Sequence, residues 1–161
     1  MVDEIDAQEI EKIAISSTKI RNSINEGDLK TTKTYLGRFF CLTGRVVKGD
    51  GLGKQINYPT ANISIEEDYK IIPKDGVYCI KTTIDNKLYN GMMNIGHRPT
   101  IGTKEKSIEV NLFNFDRDIY DRIISVDVVE KIRDEKKFSS IEALKTQLAI
   151  DEEHCLKLIN K

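Results

Sequence analysis

The chain is predicted to be mainly β, with about six strands in an antiparallel meander or Greek-key barrel, a C-terminal α-helix and short N-terminal helices. Three observations predict this. Strand-like runs recur near residues 38–44, 60–65, 77–84, 87–95, 106–115 and 123–132. Turn signals separate several of them, notably Asp85-Asn86 and Asp116-Arg117-Asp118. The period becomes helical only at the end, where Ile141, Leu144, Leu148, Cys155 and Ile159 recur on one face. Closing the sheet would remove its edges.

In chain order, residues 3 to 14 mix Asp, Glu, Ile and Ala in a weak helical pattern. Ser16-Ser17-Thr18 would then cap a second short helix ending near Gly27. From Arg38, Phe40, Leu42 and Gly44 alternate with Cys41 and Thr43 as a first strand. Pro59 fixes φ and pushes Tyr58 away from helix, so the following segment should enter a strand. There Thr60 and Asn62 face one side and Ala61 the other. In the fifth strand Ile108, Val110 and Leu112 form an apolar face, and Glu109 and Asn111 project away from it. Ser139 and Glu142 are spaced as a capping box for the last helix. Its apolar stripe is expected to pack on the barrel.

At 161 residues the chain can build one core with room for a short appendage. With 25 basic and 26 acidic residues its formal net charge is −1, which gives no broad attraction to nucleic acid or an anionic membrane, so any phosphate binding must be local. Cys41, Cys79 and Cys155 are odd in number and lack a CxxC pair, arguing against a disulfide framework or a zinc site and for the cytoplasm. No leader or membrane-spanning run is apparent in the sequence. With only His97 and His154, neither a histidine-centred triad nor a multi-histidine metal site is expected.

The densest chemistry lies in Gly49-Asp50-Gly51-Leu52-Gly53-Lys54, followed by Tyr58-Pro59-Thr60-Ala61-Asn62. Gly49, Gly51 and Gly53 would let backbone N–H groups converge on phosphate oxygens, and Lys54 adds a mobile cation. The Thr60 hydroxyl and Asn62 amide oxygen suit Mg2+, a hard ion that shares its shell with substrate phosphates. The segment is not a P-loop: Gln55 stands where a Ser or Thr should follow the lysine.

These residues resemble the riboflavin kinase family, whose glycine-rich turn runs into a Pro-Thr-Ala-Asn signature. Asn57 stands where the family usually has glycine, a mild departure because Asn tolerates left-handed φ. Three further segments are similar in order: Asn94-Ile95-Gly96-His97-Arg98-Pro99-Thr100, Glu109-Val110-Asn111-Leu112-Phe113-Asn114-Phe115, and Arg133-Asp134-Glu135-Lys136-Lys137-Phe138. The resemblance implies a riboflavin kinase-like six-stranded Greek-key barrel over residues 36–161. It implies Glu109 as catalytic base and ATP contacts from Gly49, Gly51, Gly53, Lys54, Thr60, Leu112, Asn114 and Tyr120. Thr60 and Asn62 would hold the metal, and Arg133, Lys136 and Phe138 the flavin, with Asn94 and Gly96 shaping the cleft. The family commonly has histidine at Asn111, so Asn111 is given no role.

Ile15-Ser16-Ser17-Thr18-Lys19-Ile20-Arg21 is similar to the segment closing the adenylyltransferase domain of bifunctional FAD synthetases. Residues 1–35 are therefore expected to be a helical remnant or linker from such a domain. No His-x-Gly-His motif occurs, so Ser16, Thr18 and Arg21 would serve local structure and FMN adenylylation would require a longer parent; the alternative is that Met1 is the natural start. The expected activity is phosphorylation of riboflavin by ATP to FMN and ADP. The competing readings are a catalytically silent flavin or nucleotide binder and, less favoured on charge, a nucleic-acid-binding barrel. Taken singly, Glu109 reads as a solvated strand residue, Lys136 as part of a charged surface, Phe138 as a hydrophobic staple and Tyr120 as a turn-closing residue.

Overall fold

Six strands and three helices appear in the computed structural model, which describes residues 7–49, 53, 56–97 and 106–160, with side chains from Ser16 onward. In chain order they are α1 (Ala7–Glu26), α2 (Leu29–Leu36), β1 (Phe40–Val47), β2 (Ala61–Ser64), β3 (Gly76–Ile84), β4 (Lys87–His97), β5 (Lys106–Leu112), β6 (Ile123–Arg133) and α3 (Ile141–Ile159). The strands close in the order β1-β2-β5-β4-β3-β6, and every pairing is antiparallel. β3, β4 and β5 form a meander and β2 returns beside β5, so the expected Greek key is present.

Alternation along each strand divides the barrel into an interior and an outer wall. Leu42, Val46, Tyr78, Ile80, Met93 and Val110 are among the side chains that fill the interior. Val77, Cys79 and Met92 face outward and stay buried because α3 covers them with Cys155 and Leu148. This explains why β3 is buried on both faces from Gly76 to Ile80. The β3–β4 hairpin turns through Asp85 and Asn86, both at positive φ (50° and 61°), as the mirror-image two-residue turn requires.

The helices differ from the sequence expectation in two places. Ser16-Ser17-Thr18 do not start a second helix; they lie exposed within α1, which runs unbroken for 20 residues. Extending an existing helix costs less than nucleating another, and hydroxyl side chains are tolerated on a solvated face. The next helix instead begins at Asp28, whose carboxylate accepts a hydrogen bond from the Thr31 amide, and it ends at Gly37 with φ 69°. Likewise α3 is capped by Ser140, not Ser139: Ser140 has extended φ/ψ and its hydroxyl oxygen accepts from the Ala143 amide at 3.1 Å. Spacing alone cannot separate two adjacent serines. Ile141 is 50 % exposed and so falls outside the packed stripe, whereas Cys155 is fully buried.

All three cysteines are free, and the Cys155 thiol is pushed up by its hydrogen bond with Cys79 and by burial. α1 packs on α2, and α2 on β1 and β6. At Gly27 a Cβ would lie 2.9 Å from the Tyr78 hydroxyl, so the α1–α2 turn sits directly against the barrel. On the opposite side Asp85 accepts from Arg122 at 2.6 Å and from Arg117 at 2.9 Å, tying the β3–β4 hairpin to the β5–β6 connection.

The hydrogen bond from Arg122 holds the Asp85 carboxyl below its ordinary range. A depressed carboxylate contributes stability above the unfolded pKa and loses it as pH falls through the folded value. Asp85→Asn should therefore lower Tm modestly at pH 7, as expected of an exposed ion pair, and leave it unchanged at pH 2. Thermal melts at the two pH values check this.

Candidate active site

Backbone register sets a row of side chains across the outer wall of the barrel. Asn62 of β2 pairs with Glu109 of β5, Glu109 with Asn94 of β4, Asn94 with Val77 of β3, and Val77 with Arg133 of β6. Directly opposed residues on one face bring their Cβ atoms to about 5 Å, so Glu109 is flanked by two amides. Its neighbours in sequence, Ile108 and Val110, point into the core. A cavity of about 260 Å³ lies over this row.

The cavity gathers most of the residues expected there. Glu109, Gly53, Thr60, Arg133, Lys136 and Phe138 all line it. Asn94 joins them, as expected, while Gly96 sits just outside under Glu135. Its apolar floor is Val77 and Met92, and α3 contributes Leu144 and Leu148. Two wider clefts, of about 590 and 660 Å³, open on the far side of the Tyr58–Thr60 segment. Leu112 lines both, Asn114 the first and Tyr120 the second. Thr60 borders the Glu109 cavity and the Tyr120 cleft alike, so it stands at the junction of the two halves. Asn62 is buried beside Glu109 in register. Gly51, Lys54 and the Arg98-Pro99-Thr100 stretch lie outside the described residues.

Close backbone approach explains the two described glycines of the loop. A Cβ on Gly49 would fall 1.8 Å from the Asn62 amide nitrogen, with the amide oxygen farther at 3.4 Å. One on Gly53 would meet the Tyr58 carbonyl oxygen at 2.2 Å and the Thr60 hydroxyl at 3.2 Å. The Gly53 carbonyl also accepts from the Ile56 and Tyr58 amides, closing a tight turn in which Asn57 has φ 62°. The left-handed conformation that Asn tolerates is thus adopted. Gly49 packs on Asn62 and Gly53 on Thr60, and the neutral oxygens of those two side chains are of the donor type that fits a hard cation shared with phosphate.

Several lining residues were missed by sequence reasoning. Asn111, given no role, is 7 % exposed and donates its amide to the Pro59 carbonyl at 2.8 Å, pinning the segment that carries Thr60 to β5. Period-2 alternation put it on the face of Glu109 and could have flagged it. Leu144 and Leu148, read only as packing residues, face the cavity as well. Glu135 passed unnoticed in a charged run. It reaches back over β4 to accept from the Asn94 amide at 3.3 Å.

Arg133 has partners that its sequence context did not suggest. Its Nε donates to both Asp151 carboxylate oxygens at 3.0 Å, one terminal nitrogen donates to Asp151 at 2.8 Å and the other to the Asp134 carbonyl. Asp151 is 1 % exposed and also accepts from the Gln147 amide. The guanidinium lies 5.8 Å from the Phe138 ring centroid. This buried pair welds α3 to the end of β6 and orients Phe138 at the cavity mouth. Nearby, burial and then the Glu152 charge push the Tyr58 phenol up.

A carboxylate set among amides on the outer wall of a closed barrel, in a compact cavity that meets a wider cleft at Thr60, is the arrangement of a small-molecule-binding domain. The family is specific: the chain matches the riboflavin kinase (Flavokinase) family model over residues 36–159 and belongs to that family. It is 37% identical over 146 residues to the bifunctional riboflavin kinase/FMN adenylyltransferase of Bacillus subtilis, covering 89% of this chain and 46% of that protein. It spans about half the length of the relatives it matches. A crystal structure titled macrolide-efflux protein from Streptococcus pneumoniae aligns with TM-score 0.80 and 39% identity over 85% of this chain and 45% of that one. Riboflavin kinase from Trypanosoma brucei shares the fold, with TM-score 0.54 and 24% identity over 77% of this chain and 82% of that one.

Removing one partner of a buried pair strands the other charge. Asp151→Ala should cost about 3 kcal/mol or more in urea unfolding, and replacing Arg133 and Asp151 together by apolar residues of similar size should recover much of that loss.

Proposed function

We propose that this domain transfers the γ-phosphoryl group of ATP to the 5′-hydroxyl of riboflavin, giving FMN and ADP. The observation that carries this reading is the placement of Glu109, between Asn62 and Asn94 in register, in a cavity shared with Thr60. The apolar floor of Val77 and Met92, the Phe138 ring and the α3 leucines suit a flat isoalloxazine. The wider clefts bordered by Leu112, Asn114 and Tyr120 suit the nucleotide, whose γ-phosphate would reach the junction at Thr60.

In this mechanism Glu109 accepts the proton of the 5′-hydroxyl while that oxygen attacks the γ-phosphorus. The bond to the β–γ bridging oxygen breaks and ADP leaves with the electron pair. Thr60 and Asn62 would hold Mg2+, with Gly49, Gly51 and Gly53 presenting backbone N–H groups and Lys54 a charge to the phosphates. Held there, the ion would supply neutralisation of the phosphate charge. Asn111 fixes the Pro59–Thr60 segment and so keeps Thr60 in line with Glu109. Arg133, Lys136 and Phe138 frame the flavin side, Arg133 through its hold on Asp151.

Residues 1–35 are read as a helical linker from an adenylyltransferase domain, and FMN adenylylation as an activity of a longer parent. The cytoplasm is the expected compartment, where riboflavin, ATP and Mg2+ meet.

Purified protein with riboflavin and Mg-ATP should produce FMN by chromatography; binding of riboflavin without turnover would instead identify a silent flavin module. Glu109→Gln should slow FMN formation by about 10² or more while leaving riboflavin affinity within a few fold. Thr60→Val, which keeps shape but removes the hydroxyl, should raise the Mg2+ needed for half-maximal rate about tenfold, as read from metal titration at fixed ATP.

A further inference from the structure

β6 ends at Arg133 and α3 begins at Ile141, and the connection between them carries Glu135, Lys136 and Phe138 to the cavity that holds Glu109. That connection forms no helix or strand, so side-chain contacts set its path. Its first residue is held to the strand it leaves: the Asp134 carboxylate accepts from Lys131 at 2.5 Å and the Asp134 carbonyl from Arg133 at 3.0 Å. Glu135 then turns away from β6, lies over the buried Gly96 backbone and accepts from the Asn94 amide of β4 at 3.3 Å. β3 stands between those two strands, so residues 133–135 span the rung Arg133–Val77–Asn94 from end to end.

The seat fits this side chain closely. A Cβ on Gly96 would fall 2.6 Å from the Glu135 carboxyl carbon, so glycine at 96 leaves the space that the glutamate fills. Asn94 lines the same cavity and is the register partner of Glu109. With its nitrogen given to Glu135, the Asn94 amide is held in one orientation. One contact thus orders a side chain of the wall and the segment that lies across it.

From this geometry we infer that Glu135 is a positioning residue for flavin binding. Seated on Gly96 and bonded to Asn94, it holds Lys136 and Phe138 at the cavity before the ligand arrives, so that binding does not have to order them. The inference deepens the flavin reading given above and rests on it. Preorganising a few side chains is worth about tenfold in affinity. Because that gain is the same in the ground and transition states, it falls on riboflavin binding and not on the chemical step. The contact asks for an acceptor oxygen at the end of a glutamate-length chain, which glutamine also supplies.

The test measures riboflavin Kd by flavin fluorescence, and kcat and both KM values from FMN formation, for the native protein, Glu135→Ala, Glu135→Gln, Gly96→Ala and the Glu135→Ala/Gly96→Ala double variant, with Tm as a check on folding. Glu135→Ala should raise riboflavin Kd and KM about tenfold while kcat and the KM for ATP change far less and Tm stays within a few degrees. Glu135→Gln should recover most of the loss. Gly96→Ala, which fills the seat, should weaken riboflavin binding to a similar extent, and adding it to Glu135→Ala should cost little more, since both remove the same contact. A riboflavin Kd within twofold of native in Glu135→Ala overturns the positioning role and leaves the kinase reading standing. So does a Glu135→Gln protein as weak as Glu135→Ala, which would make the carboxylate charge the cause. Native protein that neither binds riboflavin nor forms FMN overturns the flavin reading and the inference with it.

Discussion

The register of β5 between β2 and β4 is the constraint on which the site depends. Because strand side chains alternate with period 2, a one-residue slip of β5 would put Ile108 or Val110 on the outer wall and drive Glu109 into the core. The apolar face of β5 prevents the slip, since Ile108, Val110 and Leu112 are each buried inside the closed barrel. The same burial that stabilises the fold therefore fixes the direction of the carboxylate. Asn62 and Asn94 inherit their places from the same ladder.

The barrel interior is filled by side chains, and the Glu109 cavity is built on the outer wall. The outer wall is made a cavity by what covers it: α3 on one flank, the 53–58 turn on another and the segment from Asp134 to Phe138 at the mouth. These covers are tied to the wall at single points. Asn111 holds the Pro59 carbonyl, Arg133 holds Asp151 and Glu135 lies on Gly96. Each tie joins segments distant in sequence, and each places a lining residue.

This division explains what the sequence disclosed. Period-2 alternation disclosed the strands and the outward direction of Glu109, because both follow from burial. The Asp85-Asn86 turn and the left-handed Asn57 were legible because local sterics dictate them. The covers were not. Nothing within the last helix marks Leu144 and Leu148 as cavity-facing, since one apolar stripe serves packing and lining equally. Asp151 looks like an ordinary helix-surface acid until Arg133, 18 residues earlier, is found on the same spot. Two register shifts in the β3–β6 pairing, at Val77/Tyr78 and Cys79/Ile80, intervene along β6 before Arg133, and no pattern in the sequence announces them.

Charge placement follows from the same architecture. A guanidinium at the end of β6 could have been an attractive phosphate ligand, yet its Nε and one terminal nitrogen are held by a carboxylate that is itself almost wholly buried. Leaving Asp151 unmatched would be costly, so Arg133 is held to helix α3 and Phe138 stacks near it. The cation thereby works as a hinge pin for the cavity wall rather than as bait for anions. Gly49 and Gly53 sit at the other end of the row, packed against Asn62 and Thr60 so closely that neither position has room for a side chain. The glycine-flanked amide of Asn62 and the guanidinium of Arg133 thus stand at opposite ends of a single rung of the barrel, with Glu109 between them.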